Sequence, residues 1–123
     1  MILTTLLRLQ LLYLAMGISY NIVSQIFIVT KGQALSGNSP LLGAAVMIIY
    51  GLFLIPGFFE KHEIYRILMF LAFILLGYSG ILRHLLSYNN LSLYYSGAAW
   101  LTAILINAYG AILNIVAFTG KYK

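Results

Sequence analysis

Apolar residues fill this chain in four long runs, and short polar segments separate them. The runs cover residues 9–29, 41–59, 64–86 and 94–118. Each is close to the ~20 residues a helix needs to cross the hydrocarbon core of a bilayer. The breaks are KGQALSGNSP at 31–40, EKHE at 60–63 and SYNNLSL at 87–93. Gly, Ser and Asn supply turn geometry in the first and third. Ser39-Pro40 reads as an N-cap followed by the first helical residue, where proline's missing N–H does no harm. Pro56-Gly57 is expected to kink the second helix or end it early. Asn89, Asn90 and Ser92 are the candidate caps for the fourth. The pattern predicts an all-α membrane protein: one four-transmembrane-helix bundle over residues 1–123, with short loops.

Within the runs, the polar and small residues fall at helical spacing. Gln10, Gly17, Asn21, Ser24 and Gln25 share one face of the first span. Ser96, Ala99, Ala103, Asn107, Gly110 and Asn114 do so in the fourth. Gly43, Met47 and Gly51 repeat at steps of four in the second, and Gly77 and Gly80 form a patch in the third. Small residues let helix backbones approach and amides bond between helices. Gly17, Gly43, Gly51, Gly77, Gly80 and Gly110 are therefore the expected packing positions. Counted from the helix ends, Ser19, Tyr20, Asn21, Tyr50, Tyr78, Ser79, Asn107 and Tyr109 lie near mid-membrane. Lipid offers such groups no partners, so they must meet one another. The simpler reading of Asn21, Tyr50, Tyr78, Asn107 and Tyr109 is interhelical glue. The sharper one is a cavity for a small amphipathic ligand.

Composition strengthens the membrane reading. The chain is 63% hydrophobic and 7% charged, with mean hydropathy +0.99. A soluble domain of this size could not bury so much apolar side chain. The net charge of +5 does not point to nucleic acid, because the seven basic residues sit mainly at the ends of the apolar runs. Four spans put both termini on one side, with Arg8, Lys61, Arg66, Lys121 and Lys123. The other side has Lys31 and Arg83. The excess places both termini in the cytoplasm of a plasma (inner) membrane. Tyr94, Tyr95 and Trp100 then fall in an outer aromatic belt, and Phe58, Phe59, Tyr65 and Tyr122 in an inner one. The first run lacks a basic lead-in and a cleavage site, so it is expected to remain as a helix.

Candidate chemistry is thin. The chain has no cysteine, which excludes disulfides and thiolate chemistry. No acid or lysine lies mid-membrane, which argues against proton-coupled transport. The two halves show no repeat of the inverted-transporter kind. Glu60, His62 and Glu63 crowd one link without metal-ligand spacing and read as an interfacial turn. No nucleotide, hydrolase or metalloprotease motif is present. No catalytic residue, metal or cofactor is expected. Arg83 is the charge that stands out. It lies a turn inside its helix end, while both acids, Glu60 and Glu63, are at the opposite face. Gln25, His84, Tyr94 and Tyr95 share its depth. Arg83, His84 and Gln25 are the expected contact for an anion, a lipid headgroup or a partner subunit.

The segment GYSGILRHLLS, Gly77 to Ser87, followed by a polar turn and a fourth span, resembles the third-helix end of small uncharacterised four-helix bacterial membrane proteins in the DoxX-like neighbourhood. Leu42-Gly43, Gly51-Leu52 and the Arg8 to Gly17 opening look similar too. The turn has Asn89-Asn90 where that family has an Asp-Gly-like pair, and the fourth span lacks the family's acid. The resemblance implies the fold, not an activity. The function expected is an accessory or structural subunit of a larger membrane complex, with membrane lipid and other subunits or a second copy as partners. A carrier for a small amphipathic ligand is the alternative, and a quinone-contacting redox subunit the third reading.

Overall fold

The computed structural model describes residues 1–37 and 39–123. Four helices dominate: α1 (Leu3–Lys31), α2 (Pro40–Phe58), α3 (His62–Leu86) and α4 (Gly97–Phe118). All four are long and apolar enough to cross a membrane. They run alternately up and down in a ring, α1 against α2, α2 against α3, α3 against α4, and α4 back against α1. At one end the termini meet: Leu3 N–H donates to Lys123 C=O at 2.8 Å, and Lys123 N–H donates to Met1 C=O at 2.8 Å. The opposite end carries the loops after α1 and α3.

Local chemistry sets the helix ends. Gly32 closes α1 in the left-handed region, φ 73°, with its N–H on Ile28 C=O. Ser39 caps α2 as expected, its hydroxyl accepting the Leu42 N–H with Pro40 behind it. Pro56 does not stop α2, which runs on to Phe58. The chain then turns through Glu60, φ 56°, and Lys61 N–H donates back to Pro56 C=O. The first helix starts six residues before the apolar run, at Leu3. The fourth starts later than its apolar run, at Gly97. Its cap is Ser96, whose hydroxyl accepts the Ala99 N–H at 3.1 Å, rather than Asn89, Asn90 or Ser92. Ser92 instead donates to the Asn90 side chain within the turn.

Helix α3 is not regular throughout. Tyr78–Leu82 form a wider π turn between α-helical stretches. Its buried face explains the need. Tyr65, Met69, Ala72, Leu76, Gly80 and His84 are all buried, and their last three intervals are steps of four. At ~100° per residue, the nineteen residues from Tyr65 to His84 would carry His84 ~100° off that face in an unbroken α-helix. The π turn takes up one extra residue and returns Gly80 and His84 to the interior.

The tightest core lies toward the terminal end, where Leu6, Leu54, Tyr65, Met69 and Ala117 are fully buried. The outer faces of all four helices are large and apolar: Ile22, Ile48, Leu75 and Leu105 are each about half exposed or more. Two belt residues turn out to be interior. Tyr65 is fully buried, and Tyr94 is buried under the loop end. Phe58 and Phe59 are exposed at the terminal end, as a belt requires.

Candidate functional site

The polar residues inside the bundle divide into two groups at different depths. The first is a closed knot in the terminal half, joining all four helices. The Tyr65 hydroxyl donates to the Gln10 side-chain carbonyl. The Gln10 amide donates to Asn114 Oδ1 at 3.3 Å and meets Met69 Sδ at 3.2 Å. The Tyr50 hydroxyl donates to the same Asn114 oxygen at 2.7 Å. Gln10 is 0% exposed and Asn114 1%. The four side chains are linked one to the next, as burial in lipid demands. This is interhelical glue built on Gln10 and Asn114 of the two polar stripes, and Tyr50 is its one member from the mid-membrane layer.

The second group surrounds a cavity of about 170 Å³ in the loop half, bounded by all four helices. Helix α1 brings Gly17, Tyr20 and Asn21, α2 brings Gly43 and Met47, and α4 brings Ala103 and Asn107. The π turn of α3 and the residues after it bring Ser79, Gly80, Arg83 and His84, while Ser36 and Ser39 reach in from the loop after α1. The wider turn thus sets Arg83 and His84 on the cavity wall. Asn21 and Asn107 each donate one amide hydrogen to their own helix, at Gly17 C=O and Ala103 C=O, both at 2.8 Å. Glycines make the room: a Cβ on Gly43 would strike the Asn21 amide, and one on Gly80 the Asn107 amide.

No family model matches this chain, nor does any curated protein or solved structure. The DoxX-like resemblance of the third span gains neither support nor contradiction from these comparisons.

The loop end is laced together around the cavity. His84 is 5% exposed, and its Nδ1 lies 2.6 Å from the Tyr94 hydroxyl. The Trp100 indole N–H donates to the His84 carbonyl at 2.6 Å. Leu35 N–H donates to Ser24 Oγ at 2.9 Å, Tyr95 N–H to Leu35 C=O at 3.1 Å, and the Gln33 amide to Tyr94 C=O at 3.1 Å. The loop after α1 is thereby tied both to its own helix and to the segment before α4.

Several expected positions are corrected. Tyr78 is 59% exposed and points away from the polar layer, because it opens the π turn on the outer side of α3. Gly77 has nothing within 4 Å of a notional Cβ, so it is not a packing glycine. Tyr50 sits in the terminal knot rather than with Asn21 and Asn107. Tyr109 is half-buried and donates to Leu9 C=O at 3.2 Å, bridging α4 to α1 away from the cavity. Gln25 is half-buried and does not line the cavity. Gly17, Gly51 and Gly110 do pack closely, against Met47, Leu14 and Tyr13. Glu60, His62 and Glu63 are exposed. Among the described residues no group of three His, Cys, Asp or Glu is arranged to hold a metal.

Tyr13 is the residue sequence reasoning overlooked. It is buried, and its hydroxyl donates to Asn107 Oδ1 at 3.0 Å. Its ring meets Tyr50 edge-on at 5.2 Å, so it joins the knot to the cavity wall. The signal was present, since Tyr13 lies three residues after Gln10 and four before Gly17 on the same stripe.

Proposed function

We propose that this chain is an integral protein of the plasma membrane, with both termini cytoplasmic, that binds a small amphipathic molecule with its polar head among the four helices. The observation that carries this reading is the cavity. It unites Arg83 and His84 with Asn21 and Asn107 in a space of about 170 Å³. A dry cavity of ~150 Å³ accepts a benzene, so this one takes a head of a few heavy atoms and leaves a longer tail to the lipid. The terminal knot supports the same division of labour, because its polar groups are already paired with one another.

A second reading, an accessory subunit that packs against a larger membrane complex or a second copy, draws on a different face. Ala15, Ser19, Ala98 and Thr102 are exposed along a groove between α1 and α4, and small residues let another helix approach. Purification in mild detergent separates these readings. A lone bundle whose extract yields one small molecule per chain supports the binding protein. Loss of that molecule in Val46→Trp, which puts an indole at the cavity rim, ties it to the site. Stoichiometric co-purification with other subunits and an empty extract would refute it in favour of the accessory role. Bound quinone would favour a redox subunit.

A further inference from the structure

Among the described residues, Arg83 is the one formally charged side chain on the cavity wall, and no Asp or Glu lines the cavity. Among the described residues nothing hydrogen-bonds to its guanidinium. Its side chain is exposed near the loop end as well as lining the cavity, so a planar fork of five donors is left with no acceptor from the chain itself.

His84 supplies a second donor beside it. The Tyr94 hydroxyl is buried and needs an acceptor. Its contact is His84 Nδ1 at 2.6 Å. With Nδ1 accepting, the proton of the neutral imidazole resides on Nε2. No buried side-chain nitrogen or oxygen lacks a partner among the described residues. Nε2 has none among the described residues, so it is open, and His84 lines the cavity. Trp100 on the His84 carbonyl and Tyr94 on the ring hold this residue in place from two sides.

We infer that the cavity binds a carboxylate, held between the Arg83 guanidinium and His84 Nε2–H, as the head of its ligand. The inference rests on the binding reading above and adds the chemical class. Charge decides first: one guanidinium neutralises one carboxylate. A phosphate monoester carries about −1.5 to −2 at neutral pH and would leave negative charge with no second cation on the wall. Size decides next. A phosphodiester carries a substituent on each side and cannot enter as a terminal head, whereas a carboxylate ends its chain and fits, with its first carbons, in about 170 Å³. An alcohol or a quinone would leave the guanidinium uncompensated. The carboxylate can belong to a fatty acid from the bilayer or to a short organic acid from solution.

Trp100, the only tryptophan in the chain, makes the test direct, because its indole is bonded to the backbone of a binding residue. The full chain is reconstituted in phosphatidylcholine vesicles at roughly pH 8, where an ordinary carboxyl is ionised. Oleate, oleyl alcohol, hexanoate and phosphatidate are titrated separately while Trp100 emission is followed, and retention of radiolabelled oleate is measured in parallel. Oleate should saturate near one per chain and bind about 10–100-fold more tightly than oleyl alcohol, the range set by one charge-assisted hydrogen bond. Arg83→Gln should abolish that preference, and Arg83→Lys should keep part of it. Arg8→Gln, at the other end, should change nothing. Hexanoate binding as well as oleate would identify a soluble acid as the ligand, and oleate alone a fatty acid; either supports the carboxylate. Equal binding of oleate and oleyl alcohol, equal binding of phosphatidate, or an unchanged preference in Arg83→Gln overturns it. Silence of Trp100 and no retention of any of the four overturns the binding reading itself.

Discussion

Replacing Asn114 with leucine removes the acceptor at the centre of the terminal knot and leaves its volume nearly filled. Two donors lose their partner. The Tyr50 hydroxyl, at 2.7 Å, has no other acceptor in the knot, while the Gln10 amide, at 3.3 Å, keeps its contact with Met69 Sδ. An interhelical hydrogen bond in a membrane contributes ~0.6–2 kcal/mol, and a buried donor left unpaired costs ~1–3 kcal/mol. The Tyr50 bond should carry most of the loss, so Asn114→Leu should destabilise the bundle by about 2–3 kcal/mol. Tyr50→Phe should cost less, about 1 kcal/mol, since Asn114 still accepts from Gln10. Combining the two removes donor and acceptor together, so the double variant should be less destabilised than the sum by about 1 kcal/mol or more. Reversible unfolding in mixed detergent micelles with increasing dodecyl sulfate, followed by far-ultraviolet circular dichroism, measures all four proteins. An Asn114→Leu change within about 0.5 kcal/mol of the parent, or strictly additive effects across the cycle, would refute the knot as a stabilising network.

Gly110→Ala would press a methyl into the Tyr13 ring, which Asn107 and Tyr50 hold from either side. It should lower stability by about 1–3 kcal/mol in the same unfolding assay, whereas Gly77→Ala, with open space around it, should be neutral or slightly stabilising. Deleting Ser79 removes the residue that the π turn absorbs. Eighteen residues from Tyr65 to His84 make ~1800°, five whole turns, so α3 should fold as an unbroken helix with an unfolding temperature no lower than the parent's. A large drop in that temperature would show that the π turn serves packing rather than the cavity. Tyr94→Phe frees His84 Nδ1, and loss of the oriented Nε2–H should weaken oleate binding several-fold with little change in helix content by circular dichroism.

The four helices were legible because apolar run length is a property of the chain alone, and the glycine, serine and proline signals sit where the backbone turns. The polar stripe of α1 was legible for the same reason: Gln10, Gly17, Asn21 and Ser24 follow one helical period, and all are at least half-buried. Counting along a helix gives depth, however, and says nothing of rotation about the axis once the period changes. That is why Tyr78 and Gly77 were assigned to the interior. They border a π turn whose presence depends on the packing of both flanks of α3. Tyr94 was legible as sharing the depth of Arg83 and His84 but not as a buried residue, because it lies in extended backbone, φ −115° and ψ 150°, where helical periodicity has no meaning. Asn21 and Asn107 on one hand, and Arg83 and His84 on the other, were separate candidates in the sequence. The π turn and the close approach at Gly43 and Gly80 bring them to one cavity.

The two polar groups share a single strut. Tyr13 places its hydroxyl on Asn107, in the cavity wall, and its ring edge-on to Tyr50, in the knot. Gly110 lets it lie there, since any side chain at that position would strike the ring. The knot is buried and its bonds tie all four helices together, so it has little freedom to answer a ligand. The cavity wall has such freedom, because Arg83 lacks a partner and Asn21 and Asn107 each keep an uncommitted amide hydrogen. Movement of Asn107 toward a ligand must therefore be borne by Tyr13 against a rigid neighbour. A stiff half that fixes one end of the strut and an open half that holds the other is the arrangement that keeps donors preorganised around an empty space, where lipid alone would favour collapse.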